Sequence, residues 1–313
     1  MTALLHLHLF QRFDVVHAAQ GAVDLTTQRA QELLCYLLVH RGRAHHREAL
    51  ADHLWAEGTA AGSKKNLRHV LWQVNRFLAQ AAGCDMDILH VDKEWIQVNR
   101  DAAFWLDLAE FEAAYQCAKG VPGQALSPAQ AKRLDAAVAL YRGQLLEGWY
   151  QDWCLTERAR LHNIYLLMLD KLLRHAEARQ DYEAGIHYGA LALRSDPARE
   201  STHRRLMRLH LQAGHRSAAL EQYERCVAAL RDELDVAPDQ TTQALHAAIR
   251  GGRANHAGAG LPSVHLLRQV GELQATIDAL QAQLDGLRGL IGPTGDARQY
   301  VDVDAGEDAA PLH

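Results

Sequence analysis

Residues 58–84 contain no acidic side chain, yet they carry Lys64, Lys65, Arg68 and Arg76. Placed at 100° per residue, positions 64–78 divide cleanly. Leu67, Leu71, Val74 and Leu78 fall on one side, flanked by Val70 and Phe77, while Lys65, His69, Trp72 and Arg76 fall on the other. Arg68 and Gln73 lie at the edges of that second side. A helix so divided must bury one face in a core and keep a cationic, hydrogen-bonding, aromatic face outside. Ser63 suits its N-cap, following a loop over residues 57–63.

The segments around this helix set its context. Leu5-His6-Leu7-His8-Leu9 and Phe13-Asp14-Val15 alternate apolar and polar residues, the period of half-buried strands. His6 and His8 share a strand face, where they read as the polar side of an antiparallel strand rather than as metal ligands. Leu33, Leu34, Leu37 and Leu38 then recur at helical spacing up to Gly42, a helix stop. A second helix follows, with Leu50, Leu54 and Trp55 on its apolar side. Beyond the cationic helix, Ile88–Val91 and Trp95–Val98 flank Asp92-Lys93-Glu94, a β-hairpin pattern. Strands, three helices and a hairpin form the order of a winged helix-turn-helix over residues 1–100, with the hairpin as wing.

After Arg100 the pattern is nearly all helical to about residue 250. Two segments align at a 35-residue offset: Ala184 matches Ala219 and Tyr188 matches Tyr223, with Pro197 and Pro238 closing the two units. Stacked helix pairs of a tetratricopeptide-like kind give such a repeat and present a partner surface. Residues 251–263 are rich in glycine and alanine and read as a flexible linker. Over residues 264–291, Leu266, Leu273, Leu280 and Leu287 recur every seven positions, as do Val270, Ile277, Leu284 and Ile291. Leucine at every d position and β-branched residues at most a positions favour a parallel two-stranded coiled coil, hence a homodimer. Residues 292–313 read as an acidic, disordered tail. The expected fold is therefore mainly α: an N-terminal α+β winged helix-turn-helix, an all-α repeat domain and a C-terminal coiled-coil helix.

The net charge of −5 argues only weakly against a nucleic-acid partner, because it is unevenly spread. Residues 1–100 hold 11 Lys/Arg against 10 Asp/Glu, and the rest hold 22 against 28. The five cysteines, Cys35, Cys84, Cys117, Cys154 and Cys226, are dispersed and odd in number, as expected of free thiols in a reducing compartment. No run is long and apolar enough for a membrane span, and no signal peptide is recognisable, so a cytoplasmic location is expected. Histidine is plentiful, yet there is no nucleophile motif, metal-ligand spacing or phosphate loop; neither an enzyme nor a cofactor is expected.

Taken in order, these residues resemble a family. The chain is similar to the SARP-type bacterial regulators, which join an OmpR-type winged helix to a bacterial transcriptional activator domain (BTAD) of tetratricopeptide-like helices. The N-terminal resemblance rests on Leu33–Leu38 with Arg41-Gly42-Arg43, on Leu50–Trp55 and on Asn66–Leu71. The C-terminal resemblance rests on Phe104–Asp107, Phe111, Leu140-Tyr141-Arg142-Gly143, Asp196–Glu200, Ala213-Gly214-His215 and Ala219–Tyr223. It covers about residues 1–250. It implies a sequence-specific DNA-binding regulator, an activator that recruits RNA polymerase through the surface around residues 55–63.

Double-stranded DNA asks for a helix that fits the major groove, with donors and acceptors for base edges and cations for phosphates. The expected contacts are Lys64, Lys65, Arg68, His69, Trp72, Gln73 and Arg76, with Lys93 at the wing tip and Arg43 and Arg47 at the opening of the second helix. Trp72 has two open readings, contact with DNA or packing against the wing. In the helical half, Arg199, His203, Arg204 and Arg208, with Arg205 and His215 nearby, form a basic run where an anionic effector such as a nucleotide second messenger can sit; a solvated or internally paired surface is the other reading. A tetratricopeptide scaffold with a weak or gated DNA domain is the alternative function.

Overall fold

The computed structural model describes residues 5–55, 59–82, 87–99 and 101–252. The linker from residue 253, the heptad segment from Leu266 to Ile291 and the acidic tail lie outside the described residues.

Strand β1 (Leu5–His8) alternates as its sequence requires, with Leu5 and Leu7 fully buried. It pairs antiparallel with β2 (Asp14–His17), which pairs in turn with β3 (Gly21–Ala22). The outward face is not free: the rings of His6 and His8 each lie 5.1 Å from that of Trp105. Among the described residues no group of His, Cys, Asp and Glu is arranged to hold a metal ion.

Helix α1 (Gln28–Val39) is buried along almost its whole circumference and forms the centre of this half. Helix α2 (Arg47–Leu54) buries Leu50, Ala51 and Leu54 in the same core. The cationic helix, α3, runs from Ala60 to Ala82. Leu67, Val70, Leu71, Val74, Phe77 and Leu78 are each at most 6% exposed, so the expected apolar face is the buried one. Each such side chain contributes roughly 1.5–3 kcal/mol by leaving water. A second sheet closes on these helices in the order β4 (His45–His46), β6 (Trp95–Val98), β5 (Leu89–Val91).

Ser63 is not the cap of α3. The helix starts four residues earlier, where Thr59 Oγ1 accepts the N–H of Gly62 at 3.2 Å. Ser63 is instead buried, with its hydroxyl 3.2 Å from the carbonyl oxygens of both Trp55 and Thr59.

The helical half does not begin at residue 101. Phe104–Leu106 form β7, which pairs in parallel with β1, Leu7 opposite Leu106. Parallel neighbours require a long crossover, and α1–α3 with the second sheet supply it. Then come α4 (Asp107–Ala118), a 3₁₀ turn at Gly123–Ala125 and α5 (Pro128–Leu140). Ser127 and Gln130 form a reciprocal capping box at the start of α5, with Pro128 in its first turn.

Four antiparallel neighbours complete the chain of helices: α6 (Asp152–Ala178), α7 (Tyr182–Ser195), α8 (Glu200–Gln212) and α9 (Arg216–Leu234), followed by α10 (Gln240–Arg250). The α6–α7 and α8–α9 hairpins correspond to the two units of the 35-residue offset. Small residues lie at their crossings. A Cβ on Gly189 would meet Leu206 Cδ2 at 2.5 Å, and Ala219 is fully buried. One core cluster runs from the first strand to α7, and α8–α10 pack around two smaller ones, at Leu173, Leu206 and Leu209 and at Met207, Ala219 and Ile249.

The division expected at residue 100 is crossed by hydrogen bonds as well as by β7. Gln11 N–H donates to Gln144 O at 2.8 Å, and Leu146 N–H to Leu9 O at 2.9 Å. Tyr36 of α1 meets Trp153 of α6 edge to face at 5.4 Å, and Arg41 pairs with Glu112 of α4 at 2.5 Å. The described residues belong to one compact unit.

Candidate nucleic-acid interface

The outer face of α3 is exposed over its length at Lys64, Lys65, Arg68, His69, Trp72 and Arg76. Its side chains are organised among themselves. The Trp72 ring is 55% exposed and carries His69 on one side, ring centroids 6.3 Å apart, and the Arg76 guanidinium at 5.3 Å. Positions 69, 72, 73 and 76 follow i, i+3, i+4 spacing, which brings them onto one surface. Gln73 Nε2 lies 3.2 Å from His69 Nε2, and Gln73 Oε1 has no hydrogen-bond partner among the described residues. Trp72 is thus an exposed ring held between His69 and Arg76.

Lys64 differs from its neighbours. Its ammonium sits 2.6 Å from Glu48 of α2, and that lysine holds the Glu48 carboxyl below its usual range. Both side chains are at least half exposed, so the pair is weak and can exchange for another anion.

The β5–β6 turn is built by Asp92. Its Oδ1 accepts the N–H groups of Glu94 at 2.8 Å and Trp95 at 2.7 Å, which lowers its pKa, the Trp95 bond contributing most. Lys93 is exposed at the tip. Arg47, at the start of α2, is committed to this turn: its guanidinium donates to Asp92 O and its backbone N–H to Glu94 O, both at 2.8 Å. Arg47 therefore couples α2 to the hairpin, whereas Arg43 is exposed in the loop between α1 and β4.

One residue of this surface escaped the sequence reading. Trp95 is 44% exposed and meets His46 edge to face at 5.3 Å. In β6 the inward residues are Ile96 and Val98, and Trp95 and Gln97 point out. The period-two pattern already contained this signal.

The basic run on α8 is not a shared anion cradle. His203 is 3% exposed, with Nε2 at 2.9 Å from Pro197 O and Nδ1 at 2.6 Å from Gln222 Nε2. Burial lowers its pKa, so it sits as a neutral core residue. Arg204 pairs with Asp239 at 2.7 Å and with Glu200 at 3.4 Å, and Arg205 with Glu177 at 2.6 Å. Arg208 lies on the exposed side of α8, and Arg199 at its N-terminal boundary. Acids from other helices occupy most of the donors that an effector would need.

No helix among the described residues is long and apolar enough to cross a membrane. Cys35, Cys117, Cys154 and Cys226 are free thiols, and Cys84 lies outside the described residues.

Known proteins match this architecture. Residues 106–250 match the family model of the bacterial transcriptional activator domain, its first residue lying at the end of β7. The transcriptional regulatory protein MoaR1 of Mycobacterium tuberculosis (strain H37Rv) is 24% identical over 225 residues, which cover 72% of each chain. MoaR1 of Mycobacterium bovis (strain BCG/Pasteur) matches with the same identity and coverage. Among solved structures, Mycobacterium tuberculosis EmbR in complex with a low-affinity phosphopeptide shares the fold, with a TM-score of 0.56 at 21% identity, over 85% of this chain and 72% of that one. Over residues 106–250 the chain carries a bacterial transcriptional activator domain, and over most of its length it is similar to transcriptional regulatory proteins.

Proposed function

We propose that this regulator binds double-stranded DNA by seating the outer face of α3 in the major groove, with residues 1–100 acting as a winged helix-turn-helix and the β5–β6 hairpin as its wing. The exposed, acid-free face bearing Lys65, Arg68, His69, Trp72 and Arg76 is the observation that carries this reading. Arg and Lys suit guanine edges and phosphates, and Gln73 suits adenine. Arg43 and Lys93 flank the face as phosphate contacts, and Lys64 joins them when DNA displaces Glu48.

Residues 107–250 act as a tetratricopeptide-like activator module. Residues 264–291 join two copies as a coiled coil behind the 251–263 linker, so that two half-sites are bound at a raised effective concentration. The regulator activates transcription in the cytoplasm by engaging RNA polymerase through the surface around residues 55–63.

Fluorescence anisotropy on a labelled duplex across a salt series tests the DNA contact. With Arg43, Lys64, Lys65, Arg68, Arg76 and Lys93 on phosphates, log K falls against log salt with a slope of roughly −5 per protomer. A protein-binding scaffold would show no salt-dependent affinity for the duplex, and that result would sink the proposal.

A further inference from the structure

A cavity of about 470 Å³ opens between α5, the turn after it, and α7, far from the α3 face in sequence. Helical periodicity assembles its walls. Asp135, Val138 and Ala139 share one face of α5, and His187, Leu191, Arg194 and Ser195 share one face of α7. The turn brings in Tyr141, Arg142 and Gly143, and α6 adds Tyr165. Tyr141 and Tyr165 stack at 4.2 Å with planes 17° apart, a rigid aromatic wall.

Two guanidiniums line it. Arg158, Arg160, Arg174, Arg204, Arg205 and Arg216 of the helical half are all engaged by carboxylates or main-chain carbonyls. Arg142 and Arg194 have neither an ion pair nor a side-chain hydrogen bond among the described residues, and both line this cavity. The only carboxylate in its lining, Asp135, already accepts the hydroxyl of Tyr188 at 2.9 Å. Two guanidiniums above an apolar and aromatic floor fit a small organic anion: a phosphate ester or carboxylate carried on a flat apolar body. Main-chain geometry supports the turn as a built element. A Cβ at Gly143 would clash with Glu147 Oε1, and Gln144 N–H donates to the same carboxylate at 3.0 Å, so the backbone next to Arg142 is held in place.

We infer that this cavity of the activator domain is an effector site for a small amphipathic anion, gripped by Arg142 and Arg194 against the Tyr141–Tyr165 wall. The site stands apart from the α8 basic run and does not depend on the DNA reading.

Isothermal titration of the full chain tests it, with phenyl phosphate, benzoate and inorganic phosphate as probes. Phenyl phosphate or benzoate is expected to bind, the tighter of the two identifying the anion as phosphate or carboxylate, and inorganic phosphate alone to bind much more weakly. Arg142→Gln and Arg194→Gln are each expected to weaken the bound probe roughly tenfold or more, the effect of losing one charge-assisted hydrogen bond. Both side chains project from the surface of the fold, so thermal melting of the free variants is expected to match the parent protein. The site would be overturned by any of three results: no binding of either organic anion, binding unchanged in the double variant, or inorganic phosphate binding as tightly as phenyl phosphate.

Discussion

The carboxylate of Asp107 accepts the backbone N–H of Phe10 at 3.0 Å, linking the first residue of α4 to the end of the first strand. The same carboxylate receives the N–H of Leu9 on both oxygens, at 3.0 and 2.9 Å, and is 2% exposed. Burial raises its pKa, while the Phe10, Leu9 and Leu108 donors oppose that shift. Removing the carboxylate strands buried donors at the seam between the two halves. Asp107→Ala is expected to cost about 2–4 kcal/mol, read by urea unfolding. A loss below about 0.5 kcal/mol would show that water or another acceptor takes its place.

Arg47 distinguishes a structural cation from a phosphate contact. Because its guanidinium is bound to Asp92 O, Arg47→Ala is expected to weaken DNA binding through the hairpin while leaving the salt slope unchanged. Lys93→Ala, at the tip of the same hairpin, is expected to reduce the slope by about 1. A matching reduction in Arg47→Ala would assign its side chain to a phosphate instead.

Gly189 has no room for a methyl group, since Leu206 Cδ2 and Cγ lie 2.5 and 2.9 Å from a built Cβ. Gly189→Ala is expected to destabilise the α7–α8 contact by about 1–3 kcal/mol, despite the better helix propensity of alanine. Thermal unfolding checks this, and an unchanged or higher melting temperature would mean that α7 and α8 separate freely.

A cluster of histidines couples the two halves to pH. The Tyr36 ring is surrounded by His40 at 4.5 Å, His45 at 5.3 Å, His53 at 5.1 Å and Trp153 at 5.4 Å. Burial, first among the causes, lowers His40 to about 4, with Glu157 opposing and Arg43, His45 and Arg160 reinforcing. Burial lowers His45 as well. Below its unfolded value of about 6.5 the unfolded chain binds the His40 proton first, so stability present above that pH is lost as pH falls towards 4. His40 is partly solvated, which limits the loss to on the order of 1 kcal/mol, or about 2–4 °C in melting temperature between pH 7 and pH 5. In His40→Gln that part of the pH dependence should vanish; an undiminished slope would place it elsewhere.

What was legible in the sequence follows from the range over which the physics acts. The two faces of α3 could be read because a 3.6-residue period persists over six buried positions, and the β5–β6 hairpin because its strands flank a three-residue turn around Asp92. Strand β7 could not: Phe104–Leu106 is three residues long and its partner, β1, lies about a hundred positions away. The cap of α3 shifted because Thr59 satisfies the same chemistry as Ser63, one turn earlier. The α8 run looked like an anion site because charge is visible locally, whereas Asp239, Glu177 and Gln222, which engage it, come from other helices. Trp95 was missed because residues 95–98 were read only as one strand of the hairpin, although strand alternation places Trp95 outside when Ile96 and Val98 are buried.

The central claim is that the α3 face contacts DNA. Its most direct measurement is retention of sheared host genomic DNA by the full chain, followed by sequencing, with a Lys65→Ala/Arg76→Ala variant in parallel. The account predicts that the parent protein enriches promoter fragments sharing a repeated half-site, and that the variant, equally stable, loses that enrichment. Equal enrichment by the variant, or none by either protein across low and moderate salt, would contradict it.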